Sequence, residues 1–270
     1  MKLGVIAGNR LLPLLLLKSV KEQARYDSVT VICFRGETSR LAAKYADKVY
    51  WIEAGHLGAL KKIIRAERLT DMVMAGQVNP MRIFRPSSWD KELSGLIAST
   101  CDFRPHTIFS SIIASLEKEG ARFIDSTAYL GQHLAGSGAL NGLTPASDAQ
   151  DDVDFGIRLI SRFVELDVGQ TISVKNRSVV ALESLEGTDR TLLRGYRLAG
   201  KGCTALKFAK LGQDLRFDVP VVGPATLRLL KKCGYRALVL EKNKVIILEK
   251  DKFLSAAKDL NMPVIGAASA

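Results

Sequence analysis

Aromatic side chains are scarce, with Phe, Trp and Tyr together making up 7% of the 270 residues. Proteins that hold nucleic acid usually combine stacked aromatics with a basic stripe, and this chain has neither, which counts against a nucleic-acid partner. Histidine is rarer still, with only His56, His106 and His133. The cysteines, Cys33, Cys101, Cys203 and Cys233, lie far apart and outside any Cys-x-x-Cys spacing. That argues against a zinc site and for free thiols in a reducing cytoplasm. The isolated histidines read as structural. No apolar run approaches the roughly 18 residues that a bilayer-spanning helix needs. The greasiest stretch, residues 11–17, follows a strand-like segment at residues 3–7. A signal peptide would not have that order, so the stretch reads as the start of a buried helix. No fixed-period repeat or low-complexity tract is present, and no Gly-x-Gly-x-x-Gly follows the first strand.

What is present is ordinary globular composition, 47% hydrophobic and 25% charged, in a length that suits two α/β domains. The formal net charge is +11, and it is spread evenly: 19 basic against 13 acidic residues in 1–135, and 20 against 15 in 136–270. Such a field draws phosphate esters, nucleic acid or an anionic membrane face; it equally suits a solvated basic surface with no specific partner.

Along the first half, strand patterns at 3–7, 29–34, 48–52, 72–75 and 121–124 alternate with helical spacing at 13–25, 39–45, 56–67 and 107–119. This alternation predicts right-handed βαβ units on a Rossmann-like parallel sheet. Residues 77–104, with Arg82, Arg85, Pro86 and Trp89, read as irregular and basic. The small-residue stretch 136–142 reads as a linker, placing an N-terminal α/β domain at 1–135 and a C-terminal one at 136–270. In the second half, helices are expected at 152–163, 190–198, 225–232 and 252–260, and strands at 203–208 and 263–265. A hairpin around Lys175-Asn176-Arg177 and a second one pairing 237–240 with 245–248 predict a mixed sheet. Asp151, Asp152 and Asp154 read as a charge cluster at a helix N-terminus.

Two loops leave strands and enter helices, where free backbone N–H groups attract phosphate. The first is Glu183-Ser184-Leu185-Glu186-Gly187-Thr188-Asp189, and the second runs from Lys207 to Pro224. Carboxylates at Glu186, Asp189, Asp214 and Asp218 suit a metal or an attacking water. Lys207, Lys210 and Arg216 suit phosphate oxygens, with Thr188 and Gln213 adding neutral hydrogen bonds. A phosphoanhydride needs both signs close together. Plainer roles stay open: Asp189 as a helix cap, Asp218 as a turn residue, the two lysines as solvated side chains. Gly8-Asn9-Arg10 lies where open α/β sheets bind ligands, and it also suits a plain βα turn.

Several of these segments resemble the LpxI family, the UDP-2,3-diacylglucosamine pyrophosphatases of lipid A biosynthesis. The likeness rests on Gly4-Val5-Ile6-Ala7-Gly8 with Leu12-Pro13, on Met74-Ala75-Gly76-Gln77-Val78, and on Asp167-Val168-Gly169-Gln170. Most specific are Glu186-Gly187-Thr188-Asp189 and the run from Gln213 to Gly223. The resemblance implies a hydrolase in which water attacks the α-phosphorus of the UDP-linked lipid sugar, releasing UMP and 2,3-diacylglucosamine 1-phosphate. It implies Mg²⁺, or another divalent metal such as Mn²⁺, and cytoplasmic work at the inner face of the membrane by transient surface contact. Carried onto this chain, Asp218 is the first choice of catalytic carboxylate, with Asp214 and Asp189 next, and Asp218 and Asp214 as metal ligands. Lys207, Gln213 and Arg216 would face the pyrophosphate, while Gln170, Glu186, Thr188 and Gly223 complete the pocket. Gly8, Asn9 and Gly76 would close over nucleotide or sugar. Gly8-Asn9-Arg10 departs from the glycine run usual in the family, and Cys101-Asp102-Phe103-Arg104 stands where many members have paired aspartates. Another nucleotide-sugar pyrophosphatase, or a transferase using a nucleotide sugar, would need the same cations and metal; UMP release without an acceptor separates hydrolase from transferase. A homodimer is compatible with this reading, as the commonest assembly of soluble proteins.

Overall fold

The computed structural model describes residues 1–78, 86–102 and 104–270. The chain divides into an N-terminal unit, Met1–Leu130 with Asp214–Phe217, and a C-terminal unit, Gly131–Gln213 with Asp218–Ala270.

In the N-terminal unit, β1 (Lys2–Ala7), β2 (Ser28–Phe34), β3 (Lys48–Ile52), β4 (Asp71–Ala75) and β5 (Arg122–Phe123) form a parallel sheet in the order β3-β2-β1-β4-β5. Helices α1 (Leu12–Gln23), α2 (Leu57–Glu67), α3 (Lys91–Ala98) and α4 (Pro105–Glu117) belong to the same unit. Strand β1 is central, with Leu3, Val5 and Ala7 fully buried. Its continuous apolar run is the mark of a strand covered on both faces. Strand order reverses across β1, where open α/β sheets leave a crevice at their carboxyl ends. Here the two flanking loops are stitched together. Gly8 N donates to Ala75 O at 2.8 Å and Asn9 N to Gln77 O at 2.7 Å. A Cβ on Gly8 would stand 2.5 Å from Gln77 O, and one on Gly76, whose φ is +84°, 2.6 Å from Asn9 O. Glycine at both positions is a steric requirement of this close approach.

The stretch read as irregular, 77–104, contains helix α3. Its signal was in the sequence: Asp90 caps it by accepting from Leu93 N at 2.9 Å, and Leu93 and Ile97 form its buried stripe. Arg82, Arg85 and Phe103 lie outside the described residues. The helix expected at 39–45 is a 3₁₀ helix, Arg40–Tyr45.

The C-terminal unit holds a six-stranded mixed sheet of β6 (Gly138–Ala139), β7 (Thr171–Lys175), β8 (Ser178–Leu182), β9 (Thr204–Lys207), β11 (Ala237–Glu241) and β13 (Val264–Ala267). Their order is β6-β13-β11-β9-β7-β8. A separate parallel pair joins β10 (Val221–Val222) to β12 (Ile246–Ile247). Helices α5 (Ser147–Phe163), α6 (Thr188–Ala199), α7 (Pro224–Cys233) and α8 (Lys250–Asp259) complete the unit. The first expected hairpin is present: β7 and β8 pair antiparallel, with Asn176 and Arg177 at φ +51° and +53°, the two left-handed residues of a tight hairpin turn.

Two expectations are corrected. Residues 237–240 and 245–248 do not pair with each other. Strand β11 is buried at every residue and pairs parallel with both β9 and β13, which its unbroken apolar run demands. Ile246 and Ile247 join β10 instead. Nor is 136–142 a free linker, because Gly138 and Ala139 form an edge strand antiparallel to β13. Asn141 clamps that edge, donating to Met262 O at 2.9 Å and accepting from Val264 N at 3.2 Å. The small residues are needed because a Cβ on Gly266 would overlap the Gly136 carbonyl.

Asp152 is also more than a charge near a helix start. Helix α5 begins at Ser147, so Asp152 lies in its second turn, with a relative exposure of 0%. It accepts from Arg177 N at 2.6 Å and Asn176 N at 3.1 Å, and from Arg236 Nη2 at 2.6 Å. It therefore ties the β7–β8 turn to α5. Among the described residues no helix is long and apolar enough to cross a membrane.

Removing one partner of a buried ion pair strands the other. Asp152→Ala should therefore lower unfolding stability by about 3 kcal/mol in urea denaturation; a loss below about 1 kcal/mol would show that the turn does not depend on this carboxylate.

Candidate functional site

Three strand ends meet in the C-terminal unit. Lys207 closes β9 and lies opposite Thr171, the first residue of β7. Glu183 follows β8 and donates its N–H to Thr171 O at 2.8 Å. All three are buried, at 4%, 1% and 6% exposure. Helix α6 then delivers Thr188 to the same place. The Thr188 hydroxyl accepts from Lys207 Nζ at 2.6 Å, donates to Glu183 Oε1 at 3.2 Å and lies 3.2 Å from Thr171 Oγ1. Helix α6 is held by a second buried contact: Tyr235 OH donates to Leu192 O at 2.8 Å and meets Ser173 Oγ at 2.6 Å.

The electrostatics are unbalanced by design of the fold. Burial pushes the Lys207 ammonium below the ordinary lysine range, opposed by the fields of Glu183, Asp218 and Asp189. Of the three protons on its nitrogen, only the bond to Thr188 is made among the described residues. Glu183 Oε2 is buried with no hydrogen-bond partner. A donor and an acceptor left open side by side in a buried place suit a ligand that brings its own groups.

Lys210 adds a second cation, 2.9 Å from Asp167 Oδ1 and 3.7 Å from Asp218 Oδ2. Burial lowers it, but Asp167 and Asp218 outweigh that and hold it above the usual lysine value. Gln213 ties the loop to the start of β7: its Oε1 accepts from Lys210 N at 2.9 Å and its Nε2 reaches Gln170 Oε1 at 3.4 Å. Phe208 N donates to Gln170 O at 2.9 Å. Lys207, Thr188, Gln170, Gln213 and Asp218 are thus all seated in the C-terminal unit, with Lys210 beside Asp218.

Asp214 and Arg216 are seated in the N-terminal unit and pair with each other. Arg216 Nη2 donates to Asp214 Oδ2 at 2.7 Å, and its Nε to Oδ1 at 3.0 Å. The hydrogen bonds from Arg216 hold the Asp214 carboxyl below its usual range. Ser126 fixes this segment, donating its N–H to Leu215 O and its hydroxyl to Arg216 O, both at 3.0 Å. Phe217 stacks on Phe109 with ring centroids 5.4 Å apart.

Glu186 is engaged within its own loop by Arg194 at 2.5 Å, Thr191 at 3.2 Å and Ser184 N at 3.1 Å. The Arg194 hydrogen bond leads in bringing its carboxyl down to about 2. Asp189 stands exposed in the first turn of α6, where the helix dipole favours an acid. Gly223 is buried at the start of α7 against Leu248. Gly8, Asn9 and Gly76 lie at the β1 and β4 ends of the N-terminal unit, where Asn9 Nδ2 donates to Glu37 Oε2 at 2.7 Å.

Among the described residues, no three His, Cys, Asp or Glu side chains converge as a metal site. Asp214 does not fit a metal, since Arg216 occupies both its oxygens. Asp218 does: it is 41% exposed, with Lys210 Nζ no nearer than 3.7 Å. A single carboxylate with water and phosphate oxygens is a common Mg²⁺ donor set. The sequence reading passed over Glu183, Thr171 and Asp167 as site residues. The available signal was a charged residue directly following the apolar strand Val180-Ala181-Leu182.

These features define a two-domain α/β protein whose C-terminal sheet gathers a buried lysine, a half-buried one and carboxylates at its strand ends. The chain belongs to the LpxI family: the models of the LpxI N-terminal domain and the LpxI C-terminal domain match residues 2–133 and 136–265. It is 25% identical over 276 residues, 98% of this chain and 97% of the relative, to the UDP-2,3-diacylglucosamine pyrophosphatase LpxI of Caulobacter vibrioides.

Only the protonated Lys207 attracts an anion, and its proton leaves below the ordinary lysine value of about 10.4. Affinity for inorganic pyrophosphate, measured by calorimetry, should fall about tenfold as pH rises through that lowered range. Lys207→Arg should retain its affinity to higher pH; an identical fall in that variant would remove Lys207 from the ligand site.

Proposed function

We propose that this protein hydrolyses UDP-2,3-diacylglucosamine to UMP and 2,3-diacylglucosamine 1-phosphate in lipid A biosynthesis. The observation that carries this reading is the placing of Lys207, Lys210 and Asp218 in one strand-end cluster, in a member of the LpxI family. The Caulobacter relative, named for that substrate, supports it along nearly the whole chain.

In the proposed reaction, the oxygen of a water bonds to the α-phosphorus. The bond from that phosphorus to the bridging oxygen breaks, and its electron pair leaves with the sugar 1-phosphate. Asp218 accepts a hydrogen bond from the water, orients it and takes up its proton. Lys207 and Lys210 offset the charge that gathers on the phosphate oxygens, most strongly in a water-poor site. Thr188 orients the Lys207 ammonium, and Gln170 and Gln213 shape the loop. Mg²⁺ or a similar divalent ion is proposed as cofactor, with Asp218 as its protein ligand; when bound, it would neutralise pyrophosphate charge. The net charge of +11 suits peripheral, cytoplasmic work at an anionic membrane face that carries the lipid substrate.

Asp218→Ala should keep its thermal melt and lose UMP release by about a thousandfold, within the range for a positioned acid–base group. Near-normal turnover by the folded variant would sink the assignment. Chelation with EDTA should abolish UMP release and added Mg²⁺ restore it; undiminished turnover after chelation would leave the lysines as the sole charge stabilisers.

A further inference from the structure

Three consecutive backbone N–H groups follow the carboxyl end of β9, and each is held by a different part of the C-terminal unit. Phe208 N donates to Gln170 O at 2.9 Å, and Lys210 N to Gln213 Oε1 at 2.9 Å. Between them, Ala209 N donates to Glu241 Oε2 at 2.7 Å. Gln170 and Gln213 already belong to the candidate site. Glu241 comes from elsewhere: it is the last residue of β11, one place beyond Leu240, whose register partner is Lys207. It is 2% exposed, and Ala209 is 3% exposed. The second carboxylate oxygen, Oε1, accepts from Lys244 Nζ at 2.7 Å and from Ser269 Oγ at 2.8 Å. The turn after β11 brings Lys244 back onto the carboxylate, with Asn243 at φ +59° and Val245 N donating to Glu241 O at 3.2 Å. A buried carboxylate is tolerated when a cation and hydrogen-bond donors surround it, as they do here.

We infer that Glu241 is a positioning residue for the candidate site: it fixes the main chain between Lys207 and Lys210, so that both ammonium groups are aimed before an anion arrives. The inference rests on reading those two lysines as an anion site. The pairing of β9 with β11 ends at Lys207, so the ladder no longer directs the path of the next residues. Glu241 takes over that task with a side chain. A carboxylate makes a stronger bond to a backbone N–H than a neutral carbonyl does. Lys244 and Ser269 offset its charge, so the clamp adds little repulsion towards a phosphate. Lys207 and Lys210 flank the clamped residue, and a shift of the Ala209 peptide displaces the start of both side chains. A misplacement of about 1 Å in such a site can cost on the order of a hundredfold in rate.

Reach and charge separate the test variants. Glu241→Gln keeps the length and an acceptor oxygen for Ala209 N. Glu241→Asp keeps the charge but is shorter by a methylene. Binding of inorganic pyrophosphate to the full chain, measured by calorimetry, should stay within about threefold of wild type for Glu241→Gln and weaken about tenfold for Glu241→Asp and Glu241→Ala. UMP release from the lipid substrate should follow the same order, with the largest loss about a hundredfold. Each variant is assayed below its own thermal melt. A purely structural Glu241 would lower the melting temperature and leave the affinity of the folded protein unchanged. That result, or a Glu241→Gln variant as weak as Glu241→Ala, overturns the inference. If Glu241→Ala fails to fold, the contrast between the Asp and Gln variants decides. Wild-type protein that binds pyrophosphate but releases no UMP would sink the hydrolase reading alone. Wild-type protein that binds no pyrophosphate would overturn the anion site, and this inference with it.

Discussion

The C-terminal unit depends on the burial of one ammonium group. Placing Lys207 at 4% exposure costs several kcal/mol unless opposite charge and hydrogen bonds stand close by. The fold supplies both through strand register. Thr171 lies opposite Lys207 because β7 runs antiparallel to β9, and Glu183 reaches them because its N–H extends the β8 ladder onto Thr171. A one-residue slip of β7 would turn Thr171 and Ser173 to the other face. It would break the hydroxyl contacts with Thr188 and Tyr235 together. Structure and site are therefore specified by the same pairing.

That pairing explains what the sequence disclosed and what it hid. The parallel N-terminal sheet was legible because each strand is a short apolar run followed by amphipathic spacing. The β7–β8 hairpin was legible because Asn176 and Arg177 sit between two alternating segments. The misread hairpin arose from two apolar runs close in sequence. Proximity along the chain favoured pairing them, but β11 lacks the polar alternation of a hairpin strand and takes parallel neighbours brought from far away. The same long-range pairing hid Glu183, whose importance depends on Lys207 across the sheet. Asp152 was disguised in a similar way, as its partners Arg177 and Arg236 come from distant segments.

The run from Gln213 to Gly223 shows that a motif is not always one structural device. Its ends serve the C-terminal unit, with Gln213 bonded to Gln170 and Asp218 beside Lys210. Its middle, Asp214–Phe217, is counted with the N-terminal unit. There, Arg216 and Asp214 satisfy each other, Ser126 holds the backbone and Phe217 supplies an aromatic anchor. Reading all its charges as one pyrophosphate cluster assigned Asp214 and Arg216 the chemistry suggested by residue type. The geometry gives them a local ion pair first.

This division bears on how charge can be used in catalysis. An exposed pair such as Arg194 and Glu186 is screened by water and has little to offer a reacting phosphate. A buried lysine already stripped of water has no hydration to lose when a phosphate oxygen arrives, because that cost was met when the chain folded. Lys207 meets this condition and Lys210 meets it in part, being 24% exposed. Asp218, at 41%, keeps the access to solvent that a group needs to meet an incoming water. Under the proposed hydrolysis, this gradient from buried cation to open carboxylate would hold fixed charge beside the pyrophosphate and leave the carboxylate open to an attacking water.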